Sequence, residues 1–175
     1  MKREIEDLME QLGVSKDIAT HLYNIMEELN VSEDRAKKIY KLSLYIDNEY
    51  FDYCNDILKV SEDLGTENYK LCEEIYYTSG EVDTTDYKYG QEIYNISIFL
   101  KESNLSHCEV VYKISKEVGI DDYTICNEIN TIFHNVETQD YNYCYELYKF
   151  AKEEKFNYWE EVEKKFKVKE QTKDL

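Results

Sequence analysis

Proline is absent from the 175-residue chain and glycine occurs five times, so no Gly-rich loop of the kind that cradles phosphates is present. Histidine occurs at His21, His107 and His134 only, without ligand spacing and without a His-Glu metal motif. No apolar run approaches the roughly 18 residues of a membrane span. Met1-Lys2-Arg3-Glu4 leads into an amphipathic stretch rather than an apolar signal core. Basic residues are scarce, with 21 Lys and Arg against 38 Asp and Glu, a net charge of −17. That balance repels phosphate backbones and argues against direct nucleic-acid binding. The expectation is a chain that binds neither membrane nor nucleic acid, needs no cofactor or metal, and resides in the cytoplasm.

What is present is more informative. Hydrophobic residues make up 42% of the chain and tyrosine occurs 18 times, enough apolar surface to build a core. All five cysteines, at 54, 72, 108, 126 and 144, are separated by 18 residues or twice that. Taking them as position 0, the column reads Ala36, Cys54, Cys72, Gly90, Cys108, Cys126, Cys144. Position +3 reads Ile39, Ile57, Ile75, Ile93, Val111, Ile129, Leu147, and position +7 begins Ser43, Ser61, Ser79, Ser97, Ser115. Position −3 is mostly aromatic, with Phe51, Tyr69, Tyr87, Tyr123 and Tyr141. Seven aligned copies make a tandem repeat.

Within each copy the apolar positions −3, 0, +3 and +4 follow helical spacing. Eighteen residues are five turns of α-helix, so one unbroken helix would also keep each column on one face. Stop and start signals decide against it. Candidate N-caps recur at Ser15, Ser32, Asn48, Thr66, Thr84, Asp121 and Thr138, and Gly13, Gly65, Gly80 and Gly119 fall between the stripes. Each copy is therefore one short helix and a tight turn, and two copies make a 36-residue antiparallel hairpin. The predicted helices are 2–12, 16–29, 33–46, 50–63, 67–79, 86–101, 105–117, 121–134, 139–154 and 157–167. The fold class is all-α, a short solenoid or bundle of nine or ten helices. Residues 1–154 form one repeat domain, with 1–46 a less regular cap and 47–154 the regular array, and 155–175 supply a capping helix and Lys-rich tail. Paired helices of this length resemble the architectural class that includes tetratricopeptide and pentatricopeptide arrays. The tetratricopeptide Trp-Leu-Gly-Tyr set and its helix-ending proline are missing, so no family's functional residues transfer.

No two cysteines lie close enough for a zinc site, and their odd number and equivalent placement speak against disulfides. They read as small buried apolar residues interchangeable with Ala36 and Gly90. Leu12-Gly13-Val14-Ser15 loosely matches a helix-turn-helix turn, but Asn30-Val31-Ser32 repeats the same chemistry and basic residues are not concentrated there. Catalytic constellations are missing too: adjacent carboxylates such as Glu73-Glu74 point to different sides of a helix.

Acid is concentrated in the array. Residues 1–46 carry −2, residues 47–154 carry −16 and residues 155–175 carry +1. Position +2 places Asp56, Glu74, Glu92, Glu128 and Glu146 beside the tyrosines of position +4, Tyr76, Tyr94, Tyr112 and Tyr148. These nine residues are the expected protein-binding surface. The reading is a non-enzymatic module whose acidic, Tyr-rich face binds a basic protein partner. One alternative is an acidic nucleic-acid mimic that inhibits a nuclease or a host-defence nucleoprotein of the anti-restriction or anti-CRISPR type; another is a peptide-binding adaptor.

Overall fold

A computed structural model describes residues 2–136, 138, 140–155 and 159–173, and among these every regular element is an α-helix. The ten helices are α1 (Lys2–Leu12), α2 (Lys16–Leu29), α3 (Glu33–Tyr45), α4 (Phe51–Leu64), α5 (Tyr69–Glu81), α6 (Tyr87–Leu100), α7 (Leu105–Val118), α8 (Tyr123–Asn135), α9 (Tyr141–Glu154) and α10 (Trp159–Lys173). The starts expected at 139 and 157 lie outside the described residues. α10 continues to Lys173, past the expected end at 167.

The chain divides into two compact units, Met1–Gly80 with Thr85–Lys88 and Glu81–Thr84 with Tyr89–Leu175. In the first, α1 packs on α2, α2 on α3 and α3 on α4. In the second, α7, α8, α9 and α10 pack consecutively, and α7 also meets α9 while α10 meets α8. Contacts with the next helix and with the one after it give this unit a solenoid-like arrangement.

The repeat columns explain the packing. Position 0 is fully buried at Ala36, Cys54, Cys72, Cys108, Cys126 and Cys144, and the column extends to Ala19 and Val162, also at 0% exposure. Position +3 is fully buried in all seven copies. A fully buried aliphatic side chain contributes about 1.5–3 kcal/mol, so the Ile column supplies the drive while the small column sets how closely axes approach. Burial pushes the thiols of Cys54, Cys126 and Cys144 up to about 11 and raises those of Cys72 and Cys108, so all five stay protonated at neutral pH. The Cys54 and Cys126 Sγ–H groups donate to the carbonyls of Asn48 and Ile120, six residues upstream, tying each thiol to the loop that leads into its own helix.

Helix ends repeat as well. Ser15 and Ser32 cap α2 and α3 as expected, accepting from the N–H of Ile18 and Arg35. Further along, the expected caps sit upstream of the true ones. Asn104, Asp122 and Asp140 cap α7, α8 and α9, and Asn68 accepts from Leu71 N–H at the start of α5. Asn48, Thr66 and Thr138 instead accept from the N–H two residues on, folding the turn that delivers the chain to the helix. Tyr50, which occupies the cap position of α4, makes no side-chain cap bond.

The left-handed terminus also has a column, at +11: Asp47, Gly65, Asp83, Lys101, Gly119 and Lys155 all have positive φ, as does Asn30. Glycine fills it at 65 and 119 with φ of 63° and 75°. Gly80, expected to end its helix, lies within α5, and Asp83 adopts the left-handed conformation in its place.

The small column yields a direct test. Cys72→Leu overpacks the helix crossing and is expected to cost roughly 1–3 kcal/mol, whereas Cys72→Ala, which installs the residue found at 36, costs about 1 kcal/mol or less. Urea unfolding of the two variants measures the difference; equal midpoints would contradict tight packing at position 0.

Candidate interaction surface

The polar residues nearest the core form a repeating set of bonds. At four places position −1 of one copy reaches position +1 of the next, 20 residues away. Tyr53 Oη donates to Glu73 at 2.9 Å and Tyr89 Oη to Glu109 at 2.8 Å. Arg35 Nε donates to Asn55 Oδ1 at 2.9 Å, and His107 Nε2 lies 2.8 Å from Asn127 Oδ1. His107 Nδ1 faces the amide nitrogen of buried Asn130 at 3.4 Å. The Tyr53 and Tyr89 hydroxyls are pushed well above the usual tyrosine range, first by burial and then by neighbouring hydroxyl and carboxylate groups. The Lys113 ammonium beside Glu109, helped by the Tyr89 hydroxyl, holds that carboxyl below its ordinary value. Glu73 and Glu109, two acids of position +1, thus serve the fold.

Position −3 does a second structural job, bridging to the helix two copies back. The Tyr69 ring meets Tyr45 edge-on at 5.6 Å, and Tyr123 meets Phe99 at 5.9 Å while its hydroxyl donates to Glu92 at 3.4 Å. Tyr87 and Tyr141 lie near the carboxylates of Asp56 and Glu117 respectively, and burial raises the hydroxyls of both.

The nine residues expected to bind a partner occupy varied settings. Asp56 pairs with Lys59 at 2.7 Å and accepts from Tyr76 Oη at 3.3 Å. Glu74 is exposed, Glu128 is half-buried, and Glu92 is half-buried under the Tyr123 hydroxyl. Glu146 is exposed and paired with Lys149. All four tyrosines are half-buried. Tyr76 packs edge-on against Tyr53 and Tyr77 at 5.6 and 5.9 Å, and Tyr112 against Tyr89 at 5.1 Å. Tyr148 stacks on Tyr145 at 6.4 Å, and the Tyr94 carbonyl accepts from Ser97. Direct contact joins Asp56 to Tyr76; the others are spread over α5 to α9, one or two to a helix.

Lysine placement decides the electrostatics. Of the eight basic residues in 47–154, Lys59, Lys113 and Lys149 pair with acids three or four residues away on their own helices. Lys116, Lys149 and Lys152 also lie over the rings of Tyr112, Tyr145 and Tyr148 at 5.0, 4.6 and 5.1 Å. These cations are drawn back onto their own helices, and acids such as Asp52, Asp63, Glu74, Glu117 and Asp121 face solvent.

One concavity of about 540 Å³ opens in the first unit, lined by Lys38, Lys41, Leu42, Tyr45, Leu58 and Tyr69 among others. Its volume lies in the range of small-ligand and side-chain pockets. Lys38, one of its lining residues, stands at position +2, where most later copies carry an acid.

Glu109 gives a pH-dependent test. Its folded-state carboxyl titrates below the unfolded one, so it contributes stability above the ordinary carboxylate pKa, and that contribution disappears as pH falls through the lowered value. Glu109→Gln is expected to flatten the acid limb of the stability profile between about pH 5 and 3, measured by urea midpoints at each pH. An unchanged slope would contradict the Tyr89–Glu109–Lys113 bond set.

No protein-family model matches the chain, and no curated protein matches it.

Proposed function

We propose that the chain is a non-enzymatic interaction module whose acidic, tyrosine-flanked surface receives a basic protein. The observation that carries this reading is the handling of lysine in the array: most of its few cations are folded onto their own acids and rings, while carboxylates face outward. Residues 47–154 carry −16, and Asp52, Asp63, Glu74, Glu117 and Asp121 are among their exposed carboxylates. A field of one sign steers a complementary partner and repels competitors of like charge. Half-buried tyrosines beside the acids add apolar area with a polar tip, the composition that protein interfaces favour.

The test begins with retention of partner proteins on the immobilised chain at increasing salt, followed by charge reversal. Proteins with basic surfaces are expected to elute steeply between about 50 and 200 mM salt as screening shortens. The combined variant Glu74→Lys, Glu128→Lys, Glu146→Lys is expected to lose them. Retention that is indifferent both to salt and to these three reversals would overturn the proposal.

A further inference from the structure

Solvent-facing positions +8 and +9, at the end of each repeat helix, are polar or charged in most copies: Glu62-Asp63, Gly80-Glu81, Lys116-Glu117, His134-Asn135 and Lys152-Glu153. Two copies depart from this. α3 carries Leu44-Tyr45 and α6 carries Ile98-Phe99, exposed by 67%, 71%, 62% and 58%. The two lie 54 residues apart, three repeats, and fall one in each compact unit.

The likeness extends past the exposed pair. Ser43 and Ser97 donate to the carbonyls of Tyr40 and Tyr94 at the same 2.8 Å. In each unit the exposed aromatic leans edge-on against a position −3 tyrosine, Tyr45 on Tyr69 and Phe99 on Tyr123, with interplanar angles of 68° and 75°. Each tyrosine also feels two carboxylates, Glu67 and Glu62 at Tyr69, Glu92 and Asp121 at Tyr123. Glu67 and Asp121 occupy the same repeat position. Two solvent-exposed apolar side chains, an aromatic pair and adjacent acids are therefore built twice from the same parts.

We infer that each unit carries one copy of a docking site for a cationic, apolar-anchored segment: an amphipathic peptide or helix that lays an aliphatic or aromatic side chain on Leu44-Tyr45 or Ile98-Phe99 and directs an Arg or Lys to the neighbouring carboxylates. Charge complementarity selects this occupant over a second copy of the chain, which carries −17 and is repelled. An Arg guanidinium suits the place doubly, since it stacks on aromatic rings and binds carboxylates with paired N–H groups. The sites are not equal. At the first, Glu62 is already engaged by Arg35, with Lys38 at 3.9 Å, and Lys38 and Lys41 line the adjoining concavity. At the second, position +2 is Glu92 instead of Lys38 and position +5 is Asn95 instead of Lys41. The Phe99 site is the tighter one.

This inference rests on the proposed preference for a basic partner and gives it an address. The probe is a synthetic amphipathic helical peptide with Leu on one face and Arg flanking it, titrated calorimetrically against the whole chain, with a Glu-for-Arg peptide as control. Two binding events are expected, and the control binds at least tenfold more weakly. Ile98→Ser with Phe99→Ser removes the tighter event, and Leu44→Ser with Tyr45→Ser removes the weaker. Asp121→Asn, which leaves the apolar contact intact, weakens the tighter event severalfold and checks the result without a change in apolar exposure. Binding unchanged by both Ser pairs, or equal binding of the control, overturns the inference. If affinity instead falls in the Glu74, Glu128, Glu146 reversal and not in the Ser pairs, the docking sites are refuted and the general acidic-surface reading survives. If it falls only in the Ser pairs, the sites stand and the wider surface does not.

Discussion

The contact on which the rest of this molecule depends is the close approach of helices over one small residue per repeat. Ala19, Ala36, five cysteines and Val162 occupy that point, every one without exposed surface, and Gly90 is buried among them. A small side chain there lets the axes come near enough for the Ile column at +3 to interlock. Because the contact recurs at a fixed interval, the consecutive helices that pack within each compact unit meet with a common stagger. The 20-residue polar bonds and the position −3 tyrosine bridges are consequences of that stagger. The polar bonds join Arg35 to Asn55, Tyr53 to Glu73, Tyr89 to Glu109 and His107 to Asn127.

A repeat built this way fixes which residues face water and leaves their identity open. Where positions −1 and +1 carry polar pairs, as at Arg35–Asn55, Tyr53–Glu73, Tyr89–Glu109 and His107–Asn127, the pairs lie at the margin of the packed seam, where a satisfied bond replaces water. Tyrosine suits this margin, since its ring packs and its hydroxyl reaches a carboxylate or solvent. Much of the aromatic content is thereby absorbed by the fold. What differs between copies is the outer surface: acids at several, and Leu44-Tyr45 and Ile98-Phe99 at two.

Helix existence, order and most boundaries were legible because the apolar columns at 0 and +3 have the helical period and stay buried in every copy. Helix ends were only partly legible. Asn48, Thr66 and Thr138 have cap chemistry but spend it on the preceding turn, and the column that does cap includes Tyr50, which has no side-chain cap bond. The left-handed column was hidden for the same reason: glycine marks it at 65 and 119, whereas Asp47, Asp83, Lys101 and Lys155 hold positive φ through the turns around them at a cost of about 1 kcal/mol each. For the interaction surface, spacing placed Asp56 and Tyr76 together, but it could not reveal that Glu92 lies under Tyr123 or that Lys116 and Lys152 lie over the tyrosines. The Glu92–Tyr123 contact joins two helices, which a single helical wheel does not relate, and the two lysines lie one turn from their tyrosines, where side-chain rotamer rather than spacing decides whether the cation turns back onto the ring.

Equivalence of the five thiols is the central claim, and site-resolved alkylation of the native chain tests it most directly. Each cysteine is expected to react at least about a hundredfold more slowly in native buffer than in urea, since reaction requires local or global opening and a buried thiol is kept in its protonated form. One cysteine alkylated in native buffer at the rate of the unfolded chain would mean that its helix crossing is not made, and the repeat would not be one structure made many times.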